Sequence, residues 1–243
     1  LKIIKLNATN STNSFLKELG QNSALENFTV VVTGEQKKGR GQQESKWISE
    51  PFKNLTFSVF TNDFDLEIRH QKYLNFAISL GVFNTLAHHK IPNLSIKWPN
   101  DILSANKKIC GILIENNIKG TKINSSIIGI GLNVNQEKFP DTIKNVSSLK
   151  ITSNLEFDLD RLLIEIVENL KKTIHLLSLK EYLKLETDYL TALYKNKIPS
   201  MFKDKDGILF MGKIIGVSNY GNLQVELEDE TTREFGVKEI SFL

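Results

Sequence analysis

The chain opens in alternation. Leu1-Lys2-Ile3-Ile4-Lys5-Leu6 sets apolar against basic positions as a half-buried strand does. A short helix follows, capped by Ser11 or Thr12, with Phe15, Leu16 and Leu19 as its apolar face and Gly20 at its end. Thr29-Val30-Val31-Val32 reads as a buried strand, and residues 54–60 as a strand with Leu55, Phe57 and Val59 on one face. From 66 to 89 the apolar residues Leu74, Ile78, Val82 and Leu86 recur about one turn apart, which predicts a helix that Pro92 closes off.

A strand then enters at 94–98 and is stopped by Pro99, with Asn100-Asp101 at the turn before the chain re-enters strand. Residues 108–115 and 126–135 predict two further strands, interrupted by Gly111 in one and by Gly129 and Gly131 in the other. Glycines in apolar strands imply that a ligand, or a tightly packed helix, approaches the sheet where side chains would stand. Residues 158–177 carry one stripe, Leu162, Leu163, Ile166, Val167, Leu170, Ile174 and Leu177, behind Asp158 and Asp160, so a helix is expected. A second helix over 179–194 is expected to bury Leu183, Leu190, Leu193 and Tyr194. From Ile198 onward, short alternating runs broken at Asp206-Gly207, Asn219-Tyr220-Gly221-Asn222 and Glu228-Asp229-Glu230 predict about five strands in a small barrel or curled sheet. The reading is one large unit, residues 1–195, followed by a small β unit, residues 196–243.

Composition narrows the classes. Hydrophobic residues make up 40% and charged residues 24% of 243, ordinary for a globular protein, and no run approaches a membrane span. The net charge of +3 gives no basis for nucleic-acid binding. Cys110 is the only cysteine, so an internal disulfide and a thiol zinc site are ruled out, and a reducing cytoplasm is the expected location.

One stretch stands out chemically. Residues 34–47 combine Gly34, Gly39 and Gly41 with Lys37, Lys38, Arg40 and Lys46, and end on Trp47. Mobile backbone, cations and one large aromatic suit a phosphate-bearing ligand, although a plain surface loop has similar composition. Arginine occurs only four times, at Arg40, Arg69, Arg161 and Arg233, so one set between glycines is informative.

Five motifs in order carry a resemblance. They are Ser11-Thr12-Asn13, Gly39-Arg40-Gly41 with Trp47, Lys97-Trp98-Pro99-Asn100-Asp101, the run from Lys108 through Gly111 to Glu115, and Gly129-Ile130-Gly131-Leu132-Asn133-Val134-Asn135. Together they resemble the bacterial biotin protein ligases, biotin–[acetyl-CoA-carboxylase] ligases. The resemblance implies an α+β fold, a central mixed β-sheet with helices packed on it, like the biotin/lipoyl ligases and class II aminoacyl-tRNA synthetases, plus a C-terminal SH3-like β-barrel. It implies a two-step reaction in which biotin and ATP, with Mg²⁺, give biotinyl-5′-AMP, and the biotinyl group passes to a lysine of a biotin carboxyl carrier domain.

By position, the resemblance puts Ser11, Thr12, Asn13 and Gln36 at biotin's ureido end, and Arg40, Gly41 and Gln42 over its chain and the adenylate. Lys108 is expected at the point of attack, Gly111 beneath the ligand, and Trp47, Asn100, Asp101 and Asn133 on the ATP side. Lys108, Arg40 and Asp101 are the expected catalytic residues; no metal ligand is assigned. His70, His88, His89 and His175 lie outside every motif. The family often has Arg at the position of Gln42, Gly at that of Glu44 and a basic residue near Ser45, so Lys37, Lys38 or Lys46 is expected to restore charge. About ten residues precede the Ser-Thr-Asn motif, from which the type without an N-terminal DNA-binding domain is expected, with no DNA or membrane partner. Homodimers occur in the family, and nothing in the chain fixes an interface. The competing reading is a lipoate or octanoate ligase or transferase of the related fold, but an acyl pocket should be apolar where Ser-Thr-Asn stands.

Overall fold

The computed structural model describes residues 1–42, 45–62 and 64–243. Gln43, Glu44 and Asp63 lie outside it, and with Glu44 goes one of the expected loop departures. The first unit is built on β1 (Ile3–Thr9), β2 (Val30–Gln36), β5 (Leu55–Thr61), β6 (Leu66–Glu67), β7 (Leu94–Lys97), β8 (Asp101–Ser104), β9 (Lys107–Lys119) and β10 (Lys122–Leu132). Among the described residues the sheet runs β1-β2-β5-β10-β9-β8-β7, with β6 paired to the end of β10. Among the described strands of this sheet β1 and β2 are the one parallel pair, so the sheet is mixed, as expected.

The period of two divides this sheet into unlike faces. On one face, Leu55, Phe57, Val59, Ile128, Ile130, Leu132 and Ile112 are buried in a continuous apolar core. That face lies under α2 (Gln71–His88), α4 (Leu159–Ser178) and α5 (Tyr182–Ala192). The predicted stripe of α4 is wholly buried, and Asp158 caps that helix by accepting from the Arg161 N–H at 2.8 Å. The opposite face carries Thr56, Ser58, Gly129, Gly131 and Gly111, and receives α1 (Thr12–Asn22). Apolar burial thus holds the helices to one side, and small residues keep the other side open.

Several local expectations shift. Helix α1 runs past Gly20 to Asn22, ending where the Ser23 N–H donates to the Leu19 carbonyl. The helix expected from 66 begins at Gln71, because Leu66 and Glu67 pair with Ile123 and Lys122 and a 3-10 turn, Ile68–His70, intervenes. On α5, Leu185 and Tyr189 are buried while Leu183 is 80% exposed, so the stripe is rotated from the one expected. Tyr189 wins the inward position by stacking on Phe76 of α2, with centroids 4.0 Å apart.

The C-terminal strands β11 (Ser200–Asp204), β12 (Leu209–Val217), β13 (Leu223–Leu227), β14 (Thr232–Phe235) and β15 (Ile240–Phe242) form one antiparallel sheet, ordered β14-β13-β12-β11-β15. Five strands were expected; the closed barrel is corrected to an open, curled sheet, since β14 and β15 do not pair with each other. Phe202, Ile214, Val225 and Phe235 are its buried core. Trp98 joins the two units, its indole N–H donating to the Gly221 carbonyl at 3.0 Å.

Candidate active site

A cavity of about 270 Å³ opens on the small-residue face of the sheet. Helix α1 supplies one end through its N-terminus. Ser11 is the N-cap, its hydroxyl accepting from the Ser14 N–H, and Ser11, Thr12 and Asn13 are all buried. The Thr12 N–H donates to Gln36 Oε1 at 2.9 Å. Fully buried Ser58 on β5 puts its hydroxyl 2.7 Å from Thr12 Oγ1 and 2.5 Å from Asn13 Oδ1. Asn13 Nδ2 donates to Glu115 Oε2 at 2.6 Å.

Two of the glycines that interrupted the strand pattern explain how these groups fit. A Cβ on Gly129 would strike the Asn13 carboxamide, and one on Gly131 would strike the Trp47 indole. Of the two occupants expected, a packed helix is seen over Gly129, where Asn13 of α1 sits, while over Gly131 an aromatic from the 34–47 stretch takes the space. Any side chain at either position would displace a wall of the cavity.

The other end is ionic. Gly111 pairs with Gly131 on one side and with Asp101 on the other, so Asp101 stands beside the glycine floor. Lys108 reaches across the same floor, its Nζ 2.8 Å from Asp101 Oδ1 and 5.9 Å from the Trp47 ring centroid. The turn before Asp101 is held from several sides: Asn75 Nδ2 donates to the Pro99 carbonyl at 2.7 Å, and Asn100 exchanges hydrogen bonds with the backbone of Ile112. The two ends stand over positions two residues apart on β10, about 7 Å along a strand.

In the stretch from 34 to 47, most of the described residues are in strands rather than in a plain loop. Strand β2 extends through Gln36, and β3 (Gly39–Arg40) pairs with β4 (Lys46–Trp47) in a small ribbon over the cavity. Arg40, Gly41, Gln42, Ser45, Lys46 and Trp47 line it, while Lys37 and Lys38 are exposed in the turn and do not. Of the three lysines expected to restore charge, the geometry brings in Lys46. Arg40 turns toward the polar end, its Nη2 3.2 Å from Glu115 Oε2 and 3.3 Å from Ser14 Oγ, rather than toward Lys108.

One expected residue stands apart. Asn133 is buried, gives its Nδ2 to the Ser147 carbonyl at 3.0 Å and is not among the cavity's lining residues, while its Oδ1 has no partner among the described residues. Three residues given no role from sequence enter. Ser58 was visible only as the polar phase of β5, and Glu115 as the last residue of its motif. Lys238 comes from the C-terminal sheet, over two hundred residues from α1, and no local pattern signals it.

Electrostatics favour an anionic ligand. Arg40, Lys46, Lys108 and Lys238 line the cavity, with Asp101 the single carboxylate in the lining among the described residues. The Trp47 indole N–H is buried with no acceptor among the described residues, an orphaned donor beside the floor. Burial holds the Lys97 ammonium below its ordinary range, partly offset by the nearby Asp101. Burial pushes the Cys110 thiol well up, so it stays protonated and unreactive. Of the histidines, His89 pairs with Glu165 at 2.5 Å outside the cavity, and none lines it.

Known proteins resemble this chain in the same regions. The sequence profile of the biotin/lipoate A/B protein ligase family matches residues 6–133, which carry both ends of the cavity. The bifunctional ligase/repressor BirA of Bacillus spizizenii is 33% identical over 148 residues, 60% of this chain and 45% of that protein. The biotin–[acetyl-CoA-carboxylase] ligase of Mycobacterium tuberculosis is 29% identical over 131 residues, 53% of this chain and 47% of that protein. The chain thus spans about half the length of the curated relatives it matches. The structure of the biotin protein ligase from Aquifex aeolicus in complex with biotin and ATP superposes with a TM-score of 0.80 at 25% identity, covering 100% of this chain and 98% of that one. With more than half of its residues matched by that profile and its motifs gathered around one cavity, the chain belongs to the biotin/lipoate A/B protein ligase family.

Proposed function

We propose that this protein is an ATP-dependent ligase that activates biotin as biotinyl-5′-AMP and passes the biotinyl group to a lysine of a biotin carboxyl carrier domain. The observation that carries the reading is the pairing, in one cavity, of a hydrogen-bonding end at Ser11, Thr12, Asn13 and Gln36 with a cationic end at Lys108. A ureido ring offers two N–H donors and one carbonyl acceptor, which suits the first; a carboxylate and a phosphate suit the second. The names of the relatives and the biotin and ATP bound in the Aquifex structure support it.

Residues 1–195 then form the catalytic unit and residues 196–243 the C-terminal β unit, which contributes Lys238 to the cavity. In the first step a carboxylate oxygen of biotin attacks the α-phosphorus of ATP, the bond to the bridging oxygen breaks, and pyrophosphate leaves. The carboxylate is already ionised at neutral pH, so the step asks for approximation of two anions and charge stabilisation rather than a base. Lys108 supplies the cation at that point, and Arg40, Gly41 and Gln42 close over the chain of atoms between the two ends. Asn100 holds the floor strand, and Trp47 packs against the adenylate. In the second step the neutral lysine amine attacks the acyl carbon, the acyl–phosphate oxygen bond breaks, AMP leaves, and Asp101 takes the amine proton.

Mg²⁺ fits this donor set as an ion carried by the nucleotide. Such an ion takes one or two carboxylates and otherwise phosphate and water oxygens, and Asp101 would be the lining carboxylate to hold it. When bound it neutralises phosphate charge. Among the described residues no three His, Cys, Asp or Glu side chains gather into a protein cage.

The test is ATP–pyrophosphate exchange with biotin or lipoate as the acid, followed by transfer to an apo carrier domain read on a streptavidin blot. Biotin-stimulated exchange and a labelled carrier are expected; exchange stimulated by lipoate alone would replace this reading with the lipoate one.

A further inference from the structure

The hydrogen bonds around the polar end form one unbroken chain, Gln36–Thr12–Ser58–Asn13–Glu115–Arg40, drawn from β2, α1, β5, β9 and β3. We infer that Glu115 is a positioning residue for the acid substrate: its carboxylate fixes which way the Asn13 carboxamide faces, and so fixes the donor and acceptor order the cavity presents. The inference rests on the biotin-ligase reading.

The direction follows from the chemistry of each group. An ionised carboxylate only accepts, and a guanidinium only donates. Glu115 accepts from Arg40 Nη2 at 3.2 Å and from Asn13 Nδ2 at 2.6 Å, so the amide nitrogen of Asn13 is committed. Asn13 Oδ1 must then be the acceptor on the other side, and Ser58, 2.5 Å away, gives it its single proton. Ser58 having spent that proton, the 2.7 Å contact between the two hydroxyls is left to the single Thr12 proton, which has a second acceptor in Gln36 Oε1 at 3.3 Å. The Thr12 backbone N–H already occupies Gln36 Oε1, which leaves Gln36 Nε2 as a donor. Asn13 Oδ1 keeps one lone pair. The polar end is therefore set with an acceptor at Asn13 and a donor at Gln36, the complement of a ring with N–H groups and a carbonyl.

The amide of Asn13 has no steric preference between its two orientations, because oxygen and nitrogen are nearly equal in size. Without the carboxylate, the described partner left to the carboxamide is Ser58, whose hydroxyl can donate or accept and so does not distinguish them. A flipped carboxamide would set donor against donor at the substrate and leave the Ser58 proton misdirected. Sterics reinforce the placement but not the polarity: Gly129 makes room for the carboxamide in either orientation. The same carboxylate holds Arg40 on the polar side, so it also ties the ribbon over the cavity to the floor beneath it.

The experiment compares full-length wild type with Glu115→Gln and Glu115→Ala in biotin-dependent exchange, with KM for biotin, KM for ATP, kcat and Tm measured for each. Glu115 is half-buried, and the isosteric Gln keeps an acceptor oxygen for Asn13. Glu115→Ala is expected to raise KM for biotin roughly tenfold, the loss of one charge-assisted hydrogen bond, with KM for ATP not raised and kcat within about twofold. Glu115→Gln is expected to fall between, within about threefold of wild type. An unchanged KM for biotin in Glu115→Ala overturns the inference, as does a fall in kcat and Tm together in both variants with KM for biotin unmoved. If wild type itself shows no biotin-stimulated exchange, the functional reading fails first and takes this inference with it.

Discussion

Gly131→Ala tests the cavity at its tightest point. The added Cβ would run into Trp47 Cε2 and lie 2.7 Å from Trp47 Cζ2 and Nε1, where ordinary contact begins near 3.4 Å, so the indole must retreat by about 1 Å. Among the described residues no hydrogen bond anchors the indole nitrogen, and the residue is only part-buried, so the ring can yield. Overpacking of this kind costs ~1–3 kcal/mol, and a yielding neighbour puts this site near the lower value. For a chain of this size that is a fall in Tm of about 2–4 °C. Catalysis should suffer far more than stability, because the ring moves into the space the ligand needs: kcat/KM for biotin-dependent exchange is expected to fall at least ~10-fold, the usual consequence of a misplaced wall. Gly216→Ala is the control, since its Cβ would meet only the end of the Gln224 side chain at 3.2 Å. Exchange kinetics and tryptophan fluorescence, read with Tm, decide the matter. If Gly131→Ala leaves both kinetics and the Trp47 emission unchanged, the indole does not lie over Gly131 and the account of the floor is wrong.

Other perturbations separate the parts of the site. Lys108→Ala should lower kcat for exchange by about 10²–10³-fold, the scale of one lost charge-stabilising donor, while transfer from supplied biotinyl-5′-AMP falls much less. Asp101→Ala should lower transfer from supplied biotinyl-5′-AMP as well as exchange; full transfer from supplied adenylate would remove Asp101 as the proton acceptor. Ser58→Ala leaves Thr12 and Asn13 short of a buried partner and should cost about 1–3 kcal/mol in chemical denaturation; a loss near zero would mean that water repairs the chain of bonds. Acid stability has a named contributor outside the site. The Arg161 guanidinium, with His89 behind it, holds the Glu165 carboxyl below its ordinary value. A depressed carboxyl stabilises the fold above its unfolded pKa, and that contribution is lost as pH falls through its folded one. Glu165→Gln should therefore lower Tm near neutrality and flatten its fall below about pH 4.5; an unaltered acid limb would assign that loss to other groups.

What the sequence determined by itself is local and periodic. The α4 stripe, the buried phase of β5 and the run of short C-terminal strands follow from side-chain period and turn residues, which act over a few positions. The motifs could be read because each sits within one strand end or turn, and the glycines because an apolar strand has no other use for them. Local period also misled: Leu183 fits a stripe as well as Tyr189 does, and only the presence of Phe76 decides which turns inward. Only the tertiary structure could decide that Asn13 and Trp47 fill the spaces over Gly129 and Gly131, since those partners come from a helix and a ribbon more than eighty residues away. The same holds for Glu115 taking both Asn13 and Arg40, for Lys238 reaching the lining, and for Asn133 standing outside it. A sequence specifies which residues can be polar, small or charged at a given phase of a strand. Which of them meet is set by how the sheet is ordered, and β10 lies between β5 and β9 only because the whole chain has closed around it.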